Sequence, residues 1–112
     1  MREIKFKLWG PNSEYMWQWT ELQNAAIKYS IGSTGDCIPL QFTGLSDKNG
    51  VDIYEGDLLD REGYGLFAIT VDDFHGYRFM MGLDQLCKAD AVYGQVIGNI
   101  YQNPEIDYRG KK

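Results

Sequence analysis

The patterned segments of this chain are short, and that limits the fold more than any other feature. Apolar residues recur with a period of two over a few residues, and turn-forming residues then break each run. Glu3-Ile4-Lys5-Phe6-Lys7-Leu8 alternates strictly, which predicts a strand with one face in the core. Gly10-Pro11-Asn12-Ser13 supplies turn chemistry: glycine permits positive φ, proline fixes its own, and the Asn and Ser side chains bond nearby backbone. Glu14 to Trp19 reads as the returning strand, with Tyr15, Trp17 and Trp19 on one face and Met16 on the other. An N-terminal β-hairpin follows.

Thr20-Glu21-Leu22-Gln23 has the form of a capping box, Thr20 capping and Gln23 reaching back, ahead of the helix-friendly Asn24 to Lys28. A two-turn helix fits there, although Tyr29-Ser30-Ile31 could equally continue as strand. Gly32 to Asp36 is a loop. Cys37 to Thr43 is a strand in which Pro39, lacking an N–H, belongs at an edge or among the first residues. Asp47-Lys48-Asn49-Gly50 is a hairpin turn, Val51 to Tyr54 alternates again, and Glu55-Gly56-Asp57 turns the chain into Leu58-Leu59. Gly63-Tyr64-Gly65 is a tight strand junction. Leu66 to Val71, the turn Asp72 to Gly76 and Tyr77 to Met81 complete a three-strand meander with Ile53 to Leu59. Leu83 to Cys87 reads as a helical turn and Val92 to Tyr101 as a last strand, where Gly98 marks a bulge or a close crossing. Asn103-Pro104 ends regular structure.

The stretch from Gln41 to Leu59 holds four carboxylates, Asp47, Asp52, Glu55 and Asp57, and so poses the question of an acidic site. A calcium loop needs glycine at its sixth position and glutamate at its twelfth. Counting from Asp47, position five is Val51 and position six Asp52, so that pattern fails. An acid/base pair stays open, because spatial separation cannot be read from sequence, but carboxylates at turns are the commoner arrangement. His75, the single histidine, falls in a turn with no serine or cysteine nucleophile near it in sequence. No P-loop, dinucleotide fingerprint, HExxH or CxxC pair is present. No catalytic residue, cofactor site or metal site is therefore assigned.

Composition narrows the class further. Eight tyrosines, five phenylalanines and three tryptophans in 112 residues suit pleated surfaces better than helices. A net charge of −5 with scattered basic residues argues against a general phosphate-binding surface, and the locally basic ends read as solubilising fringes. No apolar run approaches the roughly eighteen residues of a membrane span, nor does the N-terminus have a signal-peptide core, so a cytoplasmic location is expected. Cys37 and Cys87 have no partner spacing and are expected as buried reduced thiols. Trp9, Trp17, Trp19, Tyr54 and Tyr101 are more aromatics than so small a core must hold, which makes them the candidate interaction surface.

Three blocks, REIKFKLW, LQFTGLSDKNGVDIYEGDLL and VIGNIYQNPE, in this order and spacing, closely resemble the YopX family of phage and prophage proteins. The resemblance spans nearly the whole chain and is weakest over residues 20–36 and 60–92. It implies a small, mainly β protein encoded by a phage or prophage in a bacterial host, with no assigned catalytic residue and no known cofactor. Residue pattern and resemblance together predict a mainly β fold with small α content, as an SH3-like bent sheet or partly open barrel plus the N-terminal hairpin. The chain is expected as one domain, with a hairpin or flap region over 1–36, a β core over 37–103 and a polar tail over 104–112. The leading function is a non-catalytic interaction module for a host or phage protein, with homo-oligomerisation through the aromatic hairpin. The alternatives are a nucleic-acid-associated small barrel using aromatic stacking, and an enzyme acting through Asp47, Asp52, Glu55 and Asp57.

Overall fold

The computed structural model describes residues 5–22, 37–72 and 78–109. Expectations for Glu3 and Ile4, for Asn24 to Asp36, for the turn bearing His75 and for residues 110–112 lie outside the described residues. Within them the chain is mainly β, with nine strands and two short helices. In chain order these are β1 (Phe6–Gly10), β2 (Tyr15–Trp17), α1 (Trp19–Leu22), β3 (Ile38–Ser46), β4 (Asp52–Tyr54), β5 (Asp57–Arg61), β6 (Gly65–Asp72), β7 (Arg78–Met81), β8 (Asp84–Gln85), α2 (Lys88–Val92) and β9 (Gly94–Asn99). Two antiparallel sheets result, ordered β2-β1-β3-β4 and β8-β7-β6-β5-β9.

The expected hairpin is present, with Leu8, Trp9 and Gly10 opposite Trp17, Met16 and Tyr15. Directly opposite residues share a face, so Trp9 and Met16 point together into a cluster with Leu40, against which Tyr101 packs. The other β2 residues face away: Tyr15 is exposed and Trp17 half-buried. Pro39 sits second in β3, which pairs with both β1 and β4. Phe42 donates its N–H toward β1, to the Lys5 carbonyl at 2.9 Å. By the alternation of backbone groups, the Pro39 nitrogen faces the other side, before the Phe42–Tyr54 pairing with β4 begins. The missing donor therefore costs no ladder bond there.

The capping box is displaced. Helix α1 begins at Trp19, because the Glu21 carboxylate reaches back to the Gln18 N–H at 3.1 Å while Tyr15 holds its other oxygen at 2.7 Å. Glu21 thus supplies the back-reaching carboxylate of a box that starts at Gln18, and Thr20 lies inside the helix instead of before it.

The meander β5-β6-β7 forms, but its first strand is Asp57–Arg61 and not Ile53 to Leu59, because Ile53 and Tyr54 belong to β4 of the other sheet; within it β6 changes partner midway. Gly65 to Ala68 pair with β5, and Ile69 to Asp72 pair with β7. Ile53, Leu59 and Ile69, all fully buried, anchor the main core with Phe79, Met81, Leu86 and Ala91. Truncating any one of the three to alanine is worth about 2–5 kcal/mol. The Leu83 to Cys87 segment is not helical: Gly82, at φ +66°, turns the chain into β8, which pairs back on β7. The helix instead forms over α2, where Cys87 is the N-cap and the Asp90 carboxylate bonds its N–H at 3.1 Å. Cys87 is exposed and Cys37 half-buried, which corrects the expectation of two buried thiols. The Cys87 thiol sits at a helix cap, donating to Asp90 at 3.2 Å, where no core surrounds it.

Among the described residues after 103, Arg109 is tied to the second sheet. Arg109 donates its N–H to the Leu66 carbonyl at 2.9 Å and bridges Phe67 in parallel, on the edge that β7 leaves uncovered. Arg109 is accordingly a docked residue and not a solubilising fringe.

Candidate functional site

All four carboxylates of the acidic stretch hold backbone or side chains in place, and Asp47 and Asp52 also reach segments distant in sequence. Asp47 is 6% exposed, and its Oδ1 accepts the N–H groups of Asn49 and Val51, each at 2.9 Å. Its Oδ2 accepts the Val96 N–H of β9 at 2.8 Å. Burial is the largest single influence on Asp47 and pushes its carboxyl up, but those three N–H groups and the charge of Lys48 outweigh it and hold the group below its ordinary value. Asp52 accepts the Ser46 hydroxyl at 3.0 Å and pairs with Lys5 at 2.7 Å. Glu55 reaches the Gln41 N–H at 3.4 Å.

Asp57 differs from these. It is 4% exposed, and its Oδ2 accepts the Tyr54 N–H at 2.8 Å across the Glu55-Gly56 turn. Burial pushes its carboxyl up to about 6, against the pull of that N–H and of Lys7, and Asp47 adds a push in the same direction as burial. Among the described residues no three His, Cys, Asp or Glu side chains gather as a metal site.

The two turns also join the middle block of the sequence to the last. Besides the Asp47 contact with Val96, Lys48 donates to the Gly94 carbonyl at 3.0 Å, Asp57 pairs with Asn99, and Ile100 donates to the Gly56 carbonyl at 2.9 Å. Within the last block, Ile97 is an extra residue between the Leu58–Gly98 and Leu59–Val96 pairs, so the bulge expected at Gly98 is there. A side chain at Gly98 would collide with the Asn103 amide. That amide caps the Asn99 N–H at 3.1 Å, and the Asn99 side chain accepts the N–H groups of Tyr101 and Gln102. Both blocks therefore pair strand segments with turn devices that interlock.

The five candidate aromatics do not form one surface. Trp9 and Tyr54, at 8% and 5% exposure, are core residues, which corrects their assignment to the surface. Their strands turn these positions inward, Trp9 against Tyr101 at 5.9 Å and Tyr54 against Phe42 at 5.5 Å. Tyr101 is half-buried over Gly56, where an added Cβ would lie 2.9 Å from its ring. Trp17 and Trp19 are half-buried, and each joins a ring outside the core. Trp17 meets Tyr15 edge-on at 4.6 Å, and Trp19 meets Phe6 at 5.1 Å. Tyr15 is 44% exposed and Phe6 36%.

A second feature lay beyond sequence reasoning. A cleft of about 760 Å³ is lined by Tyr64, Phe67, Met81, Leu83, Tyr108 and Arg109, among others. Leu83, at the β7-β8 turn, is 98% exposed, and Tyr64, in the β5-β6 turn, 60%. Both fall beside glycines with positive φ, Gly82 and Gly63, and an apolar side chain at a forced turn is the signal that could have marked them. Nearby, Arg61 bonds Asp90 at 3.1 Å with its guanidinium 4.6 Å from the Tyr64 ring centre and 5.2 Å from that of Tyr93.

A family model described as YopX protein matches residues 5–106. The chain is similar to the crystal structure of protein EF1440 from Enterococcus faecalis, with a TM-score of 0.64 and 24% identity over 94% of this chain and 98% of that one. At that identity the likeness shows a shared fold. No curated protein matches.

Proposed function

This chain belongs to the YopX family, and from that premise we propose that it is a phage- or prophage-encoded accessory protein that works in the host cytoplasm as a protein-interaction module. The observation that carries this reading is the outward face of the N-terminal hairpin. Phe6, Tyr15, Trp17 and Trp19 form two ring pairs on the side of the sheet opposite the Trp9-Met16-Leu40 cluster. Partly exposed, amphipathic aromatics of this kind are enriched at interface centres and supply large contact area at little entropic cost. The net charge of −5 favours a protein partner over a nucleic acid. That partner is a host or phage protein, and a second copy of the chain can use the same face.

The test is a tagged capture from lysate of the phage-bearing host, with and without nuclease, run beside a Tyr15→Ser, Trp17→Ser double variant. A discrete protein held by the parent after nuclease treatment and lost by the folded variant is the expected result. Partners lost to nuclease, or nucleic acid recovered alone, would replace this reading with the nucleic-acid-associated barrel. Equal capture by parent and variant would remove the hairpin face as the site.

A further inference from the structure

The Asp57 corner is the covalent junction of the two sheets, since β4 ends the first and β5 opens the second. It is held from several directions. Gly56 donates to the Ile69 carbonyl at 2.7 Å and accepts from Ile100 at 2.9 Å, and Asp57 itself pairs with Asn99. Into this junction the fold places a carboxylate that is 4% exposed, bonded to the Tyr54 N–H. From the first sheet, Lys7 on β1 extends its ammonium over the Tyr54 ring, 4.6 Å from the centroid. The ammonium thus lies over the ring of the same residue whose N–H the buried carboxylate holds.

We infer that Lys7 and Asp57 form a protonation-controlled latch between the sheets. With Asp57 neutral, the ammonium rests on the Tyr54 ring; when Asp57 loses its proton to solvent, the ammonium is drawn to the carboxylate and ties β1 to the corner. A buried carboxylate left without a counter-charge is costly, and a neighbouring cation on a flexible stem is the cheapest group to move. The titratable and charged groups around the corner are Lys7 from β1, Tyr54 from β4, Glu55 in the turn, Asp47 from the β3-β4 loop and Tyr101 after β9. Of these, Lys7 favours the ionised form of Asp57 and Asp47 opposes it. Glu55 bears on Tyr101, whose hydroxyl burial pushes up.

The test follows the Asp57 side-chain carboxyl and the Lys7 Cε carbon by NMR in the full chain, from about pH 4 to pH 8. The latch requires Asp57 to titrate well above the ordinary aspartate range, with the Lys7 signal moving at the same midpoint. Lys7→Met should raise the Asp57 midpoint by roughly half a unit or more, and Asp57→Asn should leave Lys7 flat over this range. An ordinary Asp57 midpoint, a flat Lys7 signal in the parent, or a midpoint unmoved by Lys7→Met would each overturn it. Should Lys7→Met not fold, the isosteric Asp57→Asn decides alone: a Lys7 shift that persists in it refutes the latch. None of these readouts depends on the proposed interaction surface.

Discussion

Asp47 and Asp57 close turns ten residues apart in one acidic stretch, yet the fold drives their carboxyls in opposite directions. Both are nearly removed from solvent, at 6% and 4% exposure. Asp47 is met by three backbone N–H groups from two segments, and these overcome the cost of burial. Asp57 is met by the Tyr54 N–H and by Lys7, and burial prevails, raising the carboxyl to about 6. Low exposure of the residue alone therefore does not set the behaviour of an acidic turn: the Asp57 carboxyl lies far deeper than that of Asp47, and depth and the number of donors aimed at the carboxylate decide together.

The contrast can be broken most forcefully at Asp47. Asp47→Ala strands three N–H groups, including the Val96 donor that ties the loop to β9, and should lower stability by about 3–4 kcal/mol in urea denaturation. A loss below about 1 kcal/mol would show that water replaces the carboxylate there.

Next in size is the pH dependence, where the two residues carry opposite signs. The Asp57 carboxyl is raised from 3.8 to about 6 in the fold. Its contribution is therefore fully present below about pH 4 and lost as pH rises through about 6, a change of roughly 3 kcal/mol at most. Asp47, lowered, contributes above its ordinary value and loses that contribution as pH falls through the acid range. Denaturation midpoints measured against pH should accordingly lose the decline between about pH 4 and pH 7 in Asp57→Asn, and keep it in Asp47→Asn.

The glycines of the two turns extend the comparison at smaller cost. Gly56 has φ +87° with the Tyr101 ring where a Cβ would go, whereas Gly50 has φ +80° and open space around it. Gly56→Ala should cost about 2–3 kcal/mol, strain and overpacking together, and Gly50→Ala about 1 kcal/mol, strain alone. Equal losses in thermal melts would mean that Tyr101 yields freely and that the Asp57 corner is looser than its hydrogen bonds imply. Smallest of all, Trp17→Ser on the outward face should change stability by about 1 kcal/mol or less, because its half-buried ring packs edge-on against the exposed Tyr15. A larger loss would make the hairpin face structural.

From the sequence alone, the alternating runs, the Asn49-Gly50 and Gly63-Tyr64-Gly65 turns, the hairpin, the meander and the bulge at Gly98 were all legible. Each is a local matter: side-chain period, φ at glycine and the missing donor of proline act within a few residues. The family was legible too, because its blocks are these same turns in a set order. Tertiary structure decided the remainder. Trp9 and Trp17 belong to one aromatic pattern, but which of them faced a core depended on the sheet behind them. Thr20 fell inside the helix because Glu21, which Tyr15 helps hold, caps the chain at Gln18, and Leu83 to Cys87 turned back as a strand because β7 offered an edge. Above all, Asp47 and Asp57 look alike in sequence. The Val96 N–H that reaches Asp47 from β9, and the Lys7 ammonium whose charge acts on Asp57 from β1, are supplied by segments roughly fifty residues away in the chain, so only the folded chain could tell the two apart.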